Sequence, residues 1–344
     1  MVNLDKIKKF DVNDCYGSTR QLPEQILQVI DDTSKIKFPN TYRNSDLIAI
    51  AGMGGSIYSA YVARSLLNEN LTKPLAILNG YRIPQYVLRD TFFMAVSYSG
   101  NTEETVGATL AAIKDNDAVT GVVGGGKLAE IFNENKTPFY NFVPTHNPCN
   151  APRIGLGYTI FGPLMILQRL GYMNFEVKQL CKAIEYLQKN DKYIQEKAAS
   201  DAAKLKDSIV VFVGTNHMSG LVHIARNQMN ETAKTMSTFQ LVPELNHHML
   251  EGLEHPKNSK VKFLFYNSLL SHERNQKRLS ITKEVLGKQG MPYLDVNFDT
   301  NDKFEEFLAY LSYGAYLSFF LGIENGVNPT TNPWVDYFKD KMVK

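Results

Sequence analysis

The 344-residue sequence predicts an α/β protein made of two parallel-sheet domains, and three features predict it. Short apolar runs alternate with helical patterns from residue 47 onward, the rhythm of a parallel sheet covered on both faces. A polar amphipathic stretch from Glu176 to about Lys206 interrupts that rhythm, and the alternation restarts at residue 208. The length also exceeds what one hydrophobic core usually serves. The division is therefore placed at 175/176. Residues 1–175 form a first domain with a helical N-terminal extension; 176–344 form a second, with a linker helix and a C-terminal segment.

The elements follow in order. LIAIAG (47–52) reads as a buried strand, then a glycine turn, then a helix from Ser56 to about Leu67. LAILNG (75–80) and FFMAVS (92–97) are strand-like. TEETVGATLAAIKD reads as a helix with Val106, Leu110 and Ile113 on its apolar face. VTGVVG (119–124) and FYNFV (139–143) complete the first set of strands. In the connecting helix Val177, Leu180, Ile184 and Leu187 recur three and four apart, giving one apolar face. SIVVFVG (208–214) opens the second set. Helices are expected over 219–237 and around 244–254, and a strand at KFLFY (262–266). A helix over 271–288, a strand at PYLDVNF and a helix over 303–323 complete the pattern.

Composition narrows the function. With 44% hydrophobic and 21% charged residues the chain is an ordinary folded protein. A net charge of +2 argues against a broad nucleic-acid surface, and residues 1–45 carry no basic recognition helix. Cys15, Cys149 and Cys181 are odd in number and widely spaced, which suggests reduced thiols in a cytoplasmic setting. The first seventeen residues lack the apolar core of a signal peptide. Leu47–Ala63 and Phe307–Ile323 are long and uncharged, but fall short of the roughly 18–20 residues of a spanning helix. The second is expected to be a buried helix, and no membrane partner is expected.

Two loops point to an anion. GMGGS (52–56) follows a strand and opens a helix, where glycines permit close backbone approach and a helix N-terminus offers N–H groups. SYSGNTEET (97–105) occupies the same topological place, with hydroxyls on Ser97, Ser99 and Thr102. As an ordinary helix start, Asn101 or Thr102 would cap the helix and Glu104 would reach back. Two such loops at the carboxyl ends of neighbouring strands are where open α/β sheets bind ligands. Hydroxyls without an obligatory lysine suit a sugar phosphate better than a nucleoside triphosphate.

These loops resemble the sugar isomerase (SIS) domain, a flavodoxin-like parallel-sheet αβα unit. APRIGLGY (151–158), RNQMNETAK (226–234) and PELNHHMLEG (243–252) extend the resemblance to the bifunctional phosphoglucose/phosphomannose isomerase family, a two-SIS-domain group. The resemblance covers the chain from about residue 45 to the end. It implies that Gly54, Gly55, Ser56, Ser97, Ser99 and Thr102 bind the substrate phosphate. It places Arg153 near the sugar C1–C2 carbons and makes Glu231 the base. It makes His247, from the neighbouring subunit of a homodimer, the residue that opens the ring, with Lys339 also at ring opening. No metal and no cofactor are implied. Two departures stand out: after GMGGS the run is IYSAY where the family continues to an acidic residue, and His248 follows His247 where Asn is common. Either histidine is thus a candidate for the sugar-facing one.

The chemistry fits these residue types. Moving a proton between C1 and C2 through an enediolate needs one carboxylate, which takes the proton and returns it. A fixed arginine stabilises the developing charge, and histidine titrates in the range useful for ring opening. The expected reaction interconverts glucose 6-phosphate, and mannose 6-phosphate, with fructose 6-phosphate, with room near C2–C3 around Thr235 or Thr238 deciding the epimer. Competing readings remain at this level. On its helix Glu231 lies opposite an apolar stripe of Val222, Ala225, Met229, Ala233 and Met236, so it could form a solvated i,i+3 pair with Lys234. His247, His248, Glu251, Glu254 and His255 offer metal-ligand types but lack HExxH. An amino-sugar phosphate isomerase or deaminase, or a non-catalytic phosphosugar sensor, would share the phosphate loops.

Overall fold

Three short helices precede the first sheet in the structure, a computed structural model describing residues 4–87, 89–257 and 259–342. They are α1 (Leu4–Phe10), α2 (Cys15–Arg20) and α3 (Leu22–Ser34). The first half then runs β1 (Leu47–Ala51), α4 (Tyr58–Arg64), β2 (Leu75–Leu78), β3 (Thr91–Ser97), α5 (Glu103–Asp115), β4 (Val119–Val123), α6 (Gly126–Glu134) and β5 (Tyr140–Asn141). A π-helical turn, Gly157–Phe161, leads into α7 (Gly162–Leu170). The five strands are parallel in the order β2-β1-β3-β4-β5. That is the flavodoxin-like order, with its switch point between β1 and β3.

The long helix α8 (Val177–Leu205) joins this half to the next, and Leu180, Ala183, Ile184 and Leu187 are buried along its predicted face. The second half runs β6 (Ile209–Thr215), α9 (Ser219–Thr232), β7 (Ser237–Val242), α10 (Leu245–His248), β8 (Val261–Tyr266), α11 (Glu273–Lys288), β9 (Tyr293–Val296), α12 (Lys303–Glu324) and α13 (Pro333–Met342). Its sheet is again parallel, in the order β7-β6-β8-β9, so the arrangement repeats one strand short. Helix α12 has the length and composition to cross a membrane, but it is a core helix, buried throughout its apolar window. A single apolar cluster runs from the N-terminal helices through α8 to α12.

The sequence expectations hold for most elements and fail in four places. The predicted 219–237 helix stops at Thr232, because Lys234 adopts a left-handed backbone (φ +53°). The residues after it form β7, an edge strand whose half-exposed side chains give no alternating signal. The expected 244–254 helix is two separate turns, α10 and a 3-10 turn at Glu251–Glu254. Helix α5 buries Thr105, Ala108, Thr109 and Ala112, while Leu110 is exposed. The sheet face beneath it is lined by Ala49, Ala51 and Ala95, and a helix that approaches small residues closely puts its own small residues inward. FYNFV contributes only a two-residue strand.

Candidate active site

The site begins at the switch point of the first sheet, where two loops leave neighbouring strands. After β1 the chain turns at Gly54, whose left-handed backbone (φ +53°) disfavours a side chain. It then makes a 3-10 turn over Gly54–Ile57 into α4. The Ser56 hydroxyl is buried and accepts the Tyr98 N–H at 3.1 Å, which ties this loop to the one after β3. In that second loop Ser97 Oγ accepts the Gly100 N–H at 3.1 Å and lies 3.0 Å from Thr102 Oγ1. Ser99 is exposed and accepts the Asn101 N–H at 3.2 Å.

Neither expected cap forms on α5. Thr102 occupies the N-cap position without a side-chain bond to its own helix, because its hydroxyl is spent on Ser97. Asn101 instead accepts the Lys127 N–H at 2.9 Å, at the start of α6. No N-cap side chain bonds the first-turn N–H groups of α5. The 121–128 loop supports this shape from behind. Gly100 (φ +68°) lies so close to it that an added Cβ would sit 1.7 Å from the Gly125 carbonyl oxygen.

Arg153 joins the two halves of the molecule. An added Cβ on Gly55 would lie 3.7 Å from both the Arg153 Cα and the Pro152 oxygen, so the glycine loop backs onto this arginine. Its side chain, only 2% exposed, crosses to the second half. There Nε donates to Thr232 Oγ1 at 3.0 Å, and Nη2 donates to the carbonyls of Thr330, at 2.9 Å, and Pro329. Glu231, in the last turn of α9, brings its carboxylate to 3.8 Å from Nη1 and is 35% exposed. With its amide oriented to satisfy both ends, Asn332 takes Arg153 Nη1 on its oxygen at 2.9 Å and gives its nitrogen to the carbonyls of Thr331 and Glu231. The opposite orientation offers only a 3.4 Å contact with the Glu231 carboxylate.

Two further side chains stand beside this pair. Lys234 does not pair with the Glu231 carboxylate; its ammonium donates to the carbonyls of Glu231 and Thr331, each at 2.6 Å. The residue is exposed overall, yet its charged end is drawn in beside Arg153, and desolvation and that like charge pull its pKa down to about 8. Tyr58, the first residue of α4, is fully buried, and its hydroxyl faces the Asn227 side chain. Burial first, and the negative Glu231 next, hold this phenol far above its ordinary range. Tyr58 lies in the IYSAY departure; no periodic signal pointed to it.

Among the described residues no hydrogen bond or ion pair joins His247 or Lys339 to this cluster. His247 and His248 are exposed on α10, and neither ring is hydrogen-bonded among the described residues. Lys339 lies on α13, all of whose described residues are exposed. No group of three metal-ligand side chains converges among the described residues.

Comparison with known proteins shows what the chain is similar to. A sequence profile of the bacterial phospho-glucose isomerase C-terminal SIS domain matches residues 194–342, the part that carries Glu231 and Asn332. The bifunctional phosphoglucose/phosphomannose isomerase of Caldicellulosiruptor bescii is 26% identical over 342 residues, 96% of this chain and 99% of the relative. That of Thermoplasma volcanium is 26% identical over 327 residues, 94% and 99%. The chain is thus similar, along almost its whole length, to bifunctional phosphoglucose/phosphomannose isomerases. A D-glucosamine-6-phosphate 4-epimerase from Sulfolobus acidocaldarius is also similar, 27% identical over 216 residues, covering 61% of this chain and 64% of the epimerase. Solved structures share the fold. A Thermus thermophilus protein superposes with a TM-score of 0.75 at 15% identity, covering 98% of this chain and 92% of that one. Escherichia coli tagatose-6-phosphate ketose/aldose isomerase gives 0.69 at 13% identity, covering 92% and 94%.

Proposed function

We propose that the chain is an aldose–ketose isomerase that interconverts glucose 6-phosphate, and mannose 6-phosphate, with fructose 6-phosphate through a cis-enediolate. The similarity to bifunctional phosphoglucose/phosphomannose isomerases supports the sugar-phosphate isomerase class. The observation that carries the finer reading is the Arg153–Glu231 pair, a carboxylate and a guanidinium 3.8 Å apart beside two loops suited to a phosphate. The phosphate sits on the backbone of Gly54 and Gly55 and the hydroxyls of Ser56, Ser97, Ser99 and Thr102. Glu231 carries the proton between C1 and C2, and an Arg153 N–H stabilises the enediolate oxygen as charge develops. One intermediate serves both epimers, since the enediolate has lost the C2 configuration.

Ring opening belongs to His247, supplied by the second copy of a homodimer, with Lys339. The exposure of both residues in the single chain supports this reading. The division at 175/176 is part of the same proposal, as is a cytoplasmic setting.

Glu231→Gln tests the base. Proton NMR in deuterated water follows each hexose phosphate, with glucosamine 6-phosphate as the amino-sugar comparison. The wild type is expected to give fructose 6-phosphate with deuterium at C1, and deuterium at C2 of the aldose phosphate formed in the reverse direction. The variant is expected to lose at least ~10³-fold in kcat, within the range for a positioned acid–base group, while still binding substrate. Turnover surviving in the variant sinks the base assignment. Binding without exchange in the wild type sinks the isomerase reading.

A further inference from the structure

The segment Pro329–Asn332, between α12 and α13, touches both charged residues of the site. The Pro329 and Thr330 carbonyls take Arg153 Nη2, and the Asn332 oxygen takes Nη1. A guanidinium has five N–H donors in a fixed plane. Thr232 takes one and this strap three, which leaves a single Nη1 proton on the Glu231 side. Apart from the buried Pro329, little else anchors the strap. Helix α13 beyond it buries no residue. Among the described residues its long-range hydrogen bonds run to Arg153, Glu231 and Lys234 alone. Lys234 is the one that closes it, with one ammonium bonded to the carbonyl of Glu231 at the end of α9 and to the carbonyl of Thr331 in the strap.

We infer that Lys234 is a positioning residue: it clasps the 329–332 strap to the end of α9 and so fixes the Arg153 guanidinium against Glu231 and the reacting sugar carbons. The inference rests on the isomerase reading of the site. Without the clasp the strap carbonyls move off, and the guanidinium loses the acceptors that set its plane. The N–H aimed at the developing charge then loses its direction, and misplacement of such a donor costs rate rather than affinity.

The clasp has a pH signature. The charged and titratable groups facing Lys234 are Glu231 on α9, Arg153 from the loop before α7 and Cys15 on α2. The neighbouring Cys149, and then burial, hold the Cys15 thiol well above its ordinary range. The Lys234 ammonium, lowered to about 8, is charged below that pH and neutral above it. The clasp is therefore intact at neutral pH and weakens as pH rises through about 8.

The test compares wild type, Lys234→Met and Lys234→Arg by kcat and KM across pH 6–10. The fluorescence anisotropy of Trp334, the only tryptophan, reports the strap independently of activity. Lys234→Met is expected to lower kcat at pH 7 by about tenfold or more, the cost of ~1.4 kcal/mol in the barrier. Its KM should stay within about threefold, its alkaline limb should vanish and its Trp334 anisotropy should fall. Lys234→Arg is expected to restore most of kcat and to remove the limb near pH 8. Lys234→Met with wild-type kcat, an unchanged limb and unchanged anisotropy overturns the clasp. If Lys234→Met fails to fold, the anisotropy titration of the wild type against Lys234→Arg decides, and identical curves overturn it. A wild type that turns over neither hexose phosphate defeats the isomerase reading, and the same Trp334 titration then judges the clasp alone.

Discussion

Replacing Arg153 by lysine keeps the charge and removes the fork. Four hydrogen bonds leave the guanidinium for Thr232, Pro329, Thr330 and Asn332, at a side chain 2% exposed. An ammonium has three donors on one atom and a tetrahedral geometry, so it cannot span acceptors spread around a plane. At least two buried acceptors are then left without a donor, at about 1–3 kcal/mol each. Partial relaxation brings the expected loss to about 2–4 kcal/mol. Turnover should fall further, since removing one preorganised donor to an oxyanion costs about 10²–10³ in kcat. Urea unfolding followed by far-ultraviolet circular dichroism reads the first quantity, and initial rates with glucose 6-phosphate read the second. An Arg153→Lys protein within about 0.5 kcal/mol of wild type, a change expected of ordinary surface sites, would refute the reasoning. So would a rate within threefold of wild type.

Two other outcomes follow from the same geometry. Ser97→Ala removes the oxygen that organises the second loop through Gly100 and Thr102. It should raise KM for the sugar phosphate by about tenfold, the equivalent of 1.4 kcal/mol, and weaken competition by inorganic phosphate alike; an unchanged phosphate inhibition constant would remove Ser97 from the site. His223 stacks between Tyr61 and Phe239 and accepts from Arg226 at 2.9 Å as a neutral ring. Burial, and then the Arg226 charge, hold its pKa at about 4, below the ordinary 6.5. The unfolded chain binds this proton first as pH falls. The His223 contribution is therefore whole above pH 6.5 and is lost as pH falls towards 4, at most about 3 kcal/mol. Urea midpoints between pH 6.5 and 4 should drop for the wild type and flatten for His223→Phe; parallel curves would assign the acid sensitivity elsewhere.

The sequence by itself determined what depends on local pattern. Buried strands such as LIAIA and TFFMAVS, the amphipathic face of α8 and the paired loops at their strand ends were legible, because each is written in consecutive residues. Motif resemblance supplied the family and the candidate residues of the site. The tertiary structure decided whatever depends on residues brought together from afar. The inward face of α5 was set by the alanines of the sheet beneath it, not by its own leucine. The edge strand β7 carries no alternation of its own, because neither of its faces is fully covered. Arg153 and Glu231 are 78 positions apart, and only the packing of α9 beside the glycine loop makes them neighbours. The bonds of Lys234 and Asn332 run to backbone carbonyls, which every residue possesses and no motif records. That is why the strap over the site was invisible until the chain was folded.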